Sequence, residues 1–94
     1  EETLSFNGAT EDKMSVAALY ESSEKFRLVE EYGPYSFTVT DDGRLYCKLG
    51  FRSEESALRW FLSFGSQAEI LSPEPFRQAF NNELRRTLKI YENT

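Results

Sequence analysis

The 94-residue sequence predicts a mixed α+β fold, and three observations predict it. Leu45, Cys47, Leu49 and Phe51 alternate with other residues, the period-two pattern of a strand with one buried face. Ala57, Leu58, Trp60, Phe61, Leu62 and Phe64 cover an arc of roughly 200° on a helical wheel, wide for a surface helix. Turn signals cut the chain into short elements: Gly33-Pro34, Asp41-Asp42-Gly43, Gly65 and Ser72-Pro-Glu-Pro75.

Taken in order, residues 1–12 have little periodicity and hold the turn signal Asn7-Gly8, so they are expected to be a tether from a preceding domain. Leu4 and Phe6 alternate and could pair as a short edge strand. The chain opens without a methionine, which suggests an excised fragment. Residues 13–94 are then one α+β domain. Lys13 to Tyr20 is the first strand, with Met14, Val16, Ala18 and Tyr20 on one face. Ser22 and Ser23 offer caps for a helix whose Phe26, Val29 and Tyr32 recur at helical spacing, and Gly33-Pro34 stops it. Tyr35, Phe37 and Val39 alternate up to Thr40. Asp41-Asp42-Gly43 makes a hairpin turn, and the return strand runs from Arg44 to Phe51.

The helix from Ser53 to Gly65 organises the rest. Ser53 caps its free amides, Glu54 and Glu55 suit the positive end of its dipole, and Gly65 ends it. An arc that wide needs cover on its face and on a flank, so sheet and final helix are both expected to pack on it. Ala68 to Leu71 is a fourth strand. A last helix follows with Pro73 or Pro75 in its first turn and Phe76, Phe80, Leu84, Leu88 and Tyr91 as its apolar stripe. The order β-α-β-β-α-β with right-handed crossovers gives a ferredoxin-like antiparallel sheet, plus an additional C-terminal helix that must find its own partner.

Length and composition narrow the function classes. Ninety-four residues make one core, and 39% apolar with 15% aromatic content is enough to fold it. No apolar run approaches the ~20 residues that cross a bilayer, so no membrane role is expected. A single cysteine, Cys47, cannot form an internal disulfide, which suits a reducing, cytoplasmic setting. With no histidine, the commonest general base and metal ligand is missing. Residues 1–43 carry a net charge of −7 and residues 44–94 a net of +2. The balance of −5 opposes autonomous DNA binding while leaving room for a basic surface in the second half.

Four features are candidate sites. Trp60 could stack a ligand, but Ala57, Phe61 and Phe64 share its flank, so a core position or a seam with the last helix is the favoured reading. Cys47 lies among inward strand residues and lacks a base to activate it, so burial is favoured over nucleophilic chemistry. Glu54-Glu55 and Asp41-Asp42 are paired carboxylates better explained by a helix start and a turn, and the latter is too short for a calcium loop. Arg77, Arg85, Arg86 and Lys89 make the last helix basic. They could hold a phosphate-bearing effector, a nucleic-acid strand or an acidic neighbour, or simply be a solvated face. An RNA-recognition sheet is disfavoured because Arg44 to Phe51 lacks the aromatic-rich signature. Catalytic residues, cofactors and metals are therefore not expected.

Leu58-Arg-Trp-Phe-Leu-Ser-Phe-Gly65, Ala68-Glu-Ile-Leu-Ser-Pro-Glu-Pro75 and the tail Glu83-Leu-Arg-Arg to Tyr91 together resemble a known module over about residues 14–91. It is the C-terminal extension (WCX) domain of WYL-domain, DeoR-like helix-turn-helix transcriptional regulators of bacteria. That family's extension has a strand, a helix, a hairpin with an acidic-Gly turn, an "rW(ll)sfG" helix, a "VLeP" strand and a closing helix ending near a tyrosine. The resemblance implies a non-enzymatic regulatory and oligomerising domain, open to effector sensing. It implies as partners the winged-helix and WYL domains of the parent chain, with DNA contacted only through the N-terminal domain. Trp60-Phe61-Leu62 belongs to the extension's helix and is not the Trp-Tyr-Leu signature of the family's small barrel. A homodimer is expected, with Leu84, Leu88 and Tyr91 as contacts and Trp60, Phe61 and Phe64 as core. The alternative is an ACT-like small-molecule-binding domain attached to an enzyme.

Overall fold

Four antiparallel strands and three helices are built from residues 14–92, the part of the chain that the computed structural model describes. The strands are β1 (Met14–Tyr20), β2 (Phe37–Val39), β3 (Leu45–Phe51) and β4 (Ala68–Ser72). The helices are α1 (Lys25–Tyr32), α2 (Glu54–Phe64) and α3 (Glu74–Glu92), with short 3-10 turns at Ser22–Glu24 and Gly65–Gln67. The sheet order is β2-β3-β1-β4. The tether at 1–12, the Leu4–Phe6 strand and Lys13 lie outside the described residues.

Register follows from the alternation of apolar residues. β1 and β3 pair from Met14 with Phe51 to Tyr20 with Leu45, so Val16, Ala18 and Tyr20 share a face with Leu45, Cys47, Leu49 and Phe51. All seven are buried, joined by Ile70 of β4 beyond a register shift between Ala17 and Ala18. A one-residue slip would turn that whole set to the other face, beside exposed Tyr46 and Lys48. The hairpin between β2 and β3 closes on Thr40 N–H to the Arg44 carbonyl at 2.8 Å, with Gly43 at φ 87°. Only a residue without Cβ takes that conformation cheaply.

The core is the sheet face covered by helices, with Leu28 from α1, Ala57, Phe61 and Phe64 from α2, and Phe76 from α3. Ser53 caps α2 as expected: its hydroxyl accepts from Ser56 N–H at 3.1 Å, and Ser56 Oγ accepts from Ser53 N–H at 3.3 Å. Gly65 closes α2 at φ 59° but with ψ −127°, so the residue is a positive-φ exit and not a left-handed helical cap. Its N–H still reaches the carbonyls of Leu62 and Phe61.

Three expectations change. Ser22 and Ser23 do not cap α1. They lie inside a 3-10 turn closed by Glu24 N–H on the Glu21 carbonyl at 2.9 Å, and no side chain caps the start of that turn or of α1. That turn shifts the phase of the helix, so Leu28 points inward while Phe26 is exposed. Tyr35 falls outside β2 and is solvated, because the Gly33 turn, held by Ser36 Oγ–H on the Gly33 carbonyl at 2.8 Å, delays the strand to Phe37.

Candidate association surface on the last helix

α3 begins with Glu74 and Pro75 in its first turn, both suited to free amides and a positive dipole end, and Lys89 stands in its last turn. Its first half is anchored. Phe76 is buried, and the rings of Phe76 and Phe80 lie 6.0 and 6.3 Å from Phe61. Arg77 Nε donates to the Ile70 carbonyl of β4 at 3.1 Å and approaches Glu74 at 3.9 Å. The side chain of Arg77 thus ties α3 to an edge strand.

After Glu83 every described residue of α3 is exposed. Leu84 is 43%, Leu88 55%, Ile90 64% and Tyr91 73% exposed. From Phe80 to Glu92 the helix continues for about 18 Å at helical rise, well past its last contact with Phe61. Leu84, Leu88 and Tyr91 share one side of it, being four and seven residues apart. Ile90 joins the exposed apolar set across Thr87. The stripe read from Phe76 to Tyr91 missed Ile90, because the residues three, four and seven positions before it, Thr87, Arg86 and Glu83, are all polar.

The cations divide. Asn82, Arg85, Arg86 and Lys89 follow the three- and four-residue spacing of one face, where with Leu88 and Glu92 they border a shallow hollow. Arg86 pairs with Glu83 at 3.1 Å. Arg77 stands at the anchored end, away from these three.

Trp60 lies in a seam with α1, not with the last helix. Its Nε1–H donates to the Tyr20 hydroxyl at 2.9 Å, and the indole meets Tyr32 edge-on at 5.6 Å and Phe64 at 4.8 Å. Both broad flanks of α2 are therefore used: Phe61 faces α3 while Trp60 and Ser63 face α1. Arg27 closes the seam, with its guanidinium carbon 3.9 Å above the Phe64 ring centre and 5.3 Å from that of Trp60, and it donates to Ser63 Oγ. Sequence reasoning missed Arg27, since its partner is 36 residues away. The stacking surface a ligand would need on Trp60 is already occupied by aromatic and cationic neighbours.

The remaining candidates settle locally. Cys47 is buried, its thiol donates to the Ser36 carbonyl at 3.1 Å, and burial pushes its pKa up, away from the thiolate a nucleophile needs. The Asp42 carboxylate accepts from Thr40 Oγ1, from Arg44 N–H at 3.2 Å and from Arg44 Nε at 3.0 Å, which holds its pKa at about 2. Arg44 also spans to Glu69 of β4 at 3.0 Å. Among the described residues no three His, Cys, Asp or Glu side chains are grouped to hold a metal ion, and no helix is long and apolar enough to cross a membrane.

These features define a small α+β domain whose exposed large apolar residues, among the described residues, are most numerous on a projecting helix. A family model for the WCX domain matches residues 12–88. The chain belongs to that family, the C-terminal extension of WYL-domain transcription regulators. The comparison with curated proteins returned no match.

Proposed function

We propose that this chain is the C-terminal regulatory module of a bacterial WYL-type transcription regulator, performs no catalysis, and holds two copies of the regulator together through the distal half of α3. The exposure of Leu84, Leu88, Ile90 and Tyr91 on a helix whose other end is firmly anchored carries the reading. Burying the exposed part of each such side chain contributes about 1 kcal/mol, so the set favours a partner over water. Two-fold pairing is the commonest closed arrangement for a surface of this kind. The cations Arg85, Arg86 and Lys89, with Arg77 nearer the sheet, are the residues we assign to an anionic effector or partner. DNA reading belongs in this proposal to the winged-helix domain of the parent regulator, acting in the cytoplasm, with residues 1–12 as the tether to preceding domains. The strand order and wholly antiparallel pairing support a ferredoxin-like arrangement with α3 added.

Leu84→Asp and Leu88→Asp test the association. Each should shift the wild-type dimer towards monomer in light scattering while the melting temperature stays within a few degrees of wild type. Unchanged association, or variants that unfold, would show that the stripe does another job.

A further inference from the structure

β4 is an edge of the sheet, with β1 on one side and no strand on the other. Glu21 N–H donates to the Gln67 carbonyl at 2.9 Å, and that bond sets the phase of the β1–β4 ladder. Two residues further along, Leu19 and Glu69 are the pair that exchanges hydrogen bonds. Ala68 and Ile70, on either side of Glu69, therefore turn their N–H and carbonyl groups outward. Among the described residues those outward groups have one partner, Arg77 Nε on the Ile70 carbonyl at 3.1 Å.

Beside this edge, Ala68, Glu69, Ile70, Arg77, Phe80 and Asn81 line a hollow of about 190 Å³ between β4 and the anchored half of α3. Small-molecule sites begin at roughly 300 Å³, so the hollow suits single side chains of a strand laid along β4. Ile70 is buried and Ala68 packs on the core, so such a strand would send alternate side chains towards Phe80 and Asn81. Charge narrows the class of occupant. The Glu69 carboxylate is taken by Arg44 at 3.0 Å. Arg77 is half-exposed and only approaches Glu74, at 3.9 Å, a surface pair of little strength. The hollow thus presents a cation in want of a closer carboxylate.

Resting on the anionic-partner role given to Arg77 above, and not on the dimer surface, we infer that β4 and the first half of α3 bind an extended peptide segment bearing a carboxylate. The segment adds to the sheet as a fifth strand, its main chain bonded to Ala68 and Ile70. One of its side chains covers Phe80. Its glutamate or aspartate takes the Arg77 guanidinium, which leaves the Ile70 carbonyl to the incoming strand.

NMR titration of the isotope-labelled chain tests this, with a short capped peptide of alternating valine and threonine around a central glutamate as the probe. Amide shifts at Ala68 to Ser72 and at Phe80 and Asn81, with none at residues 84–92, are expected. Replacing the peptide's glutamate by glutamine should weaken binding about three- to fivefold. Arg77→Ala should lose that preference and Arg77→Lys should keep it. Methylating alternate peptide amides should abolish binding in one register and spare it in the other, because only one edge of the peptide meets β4. Equal binding by both methylated peptides, or tighter binding of both parent peptides to Arg77→Ala, would overturn the inference; the latter would make Arg77 a shield of the edge. Inorganic phosphate, titrated separately, keeps the two readings apart. Shifts around Arg77 with phosphate but none with the peptide would overturn the fifth strand alone, and none with either would overturn the anionic role of Arg77 as well.

Discussion

The indole N–H of Trp60 donates to the hydroxyl of Tyr20 across 40 residues, joining the first strand to the central helix at 2.9 Å. Tyr20 is wholly buried, and burial holds its phenol neutral far above the ordinary tyrosine range, although the Trp60 hydrogen bond offsets part of that.

Alkaline stability should therefore depend on Tyr20. A folded-state pKa raised above the unfolded value gives stability that is full below about pH 10 and is lost as pH rises further, because only the unfolded chain ionises freely. The expected slope is up to about 1.4 kcal/mol per pH unit. Tyr20→Phe should cost about 1 kcal/mol at neutral pH, through the orphaned Trp60 N–H, and should flatten the alkaline loss. Urea denaturation across the alkaline range measures both. An equal alkaline slope in the variant would mean that another group governs it.

Phe61 touches Tyr20, Phe51, Phe76 and Phe80, so it links sheet, α2 and α3. Phe61→Ala should destabilise the domain by about 3–5 kcal/mol. Leu62→Ala, one residue on and facing solvent, should cost less than about 1 kcal/mol. Comparable urea midpoints for the two variants would contradict the orientation of α2.

Asp42 provides an acid-side test. Hydrogen bonds from Thr40 and from the Arg44 backbone and guanidinium favour its carboxylate, lowering the pKa from 3.8 to about 2. The stability linked to it is present above the ordinary value and disappears as pH falls towards 2. NMR titration of the Asp42 carboxyl should give a midpoint near 2, and Thr40→Val should move it upward. A midpoint in the ordinary range would mean that the hairpin turn is open.

Much of this was legible in the sequence for identifiable reasons. β3 stood out because a strand with one buried face must alternate, and Leu45 to Phe51 does so without a break. α2 was legible because Ser53, Glu54, Glu55 and Gly65 mark both its ends. α1 was less so: eight residues make barely two turns, and the 3-10 turn before them exchanged Phe26 for Leu28 on the inner side. The breadth of the apolar arc on α2 announced two packed flanks, but which neighbour took which flank depends on strand order, and Trp60 fell to α1. Arg27 left no local signal, since Phe64 and Ser63 reach it only through the tertiary fold. On α3 both the apolar residues and the cations were visible, while their division into an anchored and a projecting half follows from where Phe61 stands.

Hydrogen exchange followed against protein concentration tests the central claim most directly, that the projecting half of α3 is the surface that joins two copies. Amides of residues 84–92 should gain protection as the chain associates, while those near Phe76 and Phe80 keep the same protection throughout. Association that leaves residues 84–92 unprotected, or protection there that does not change with concentration, would contradict the account.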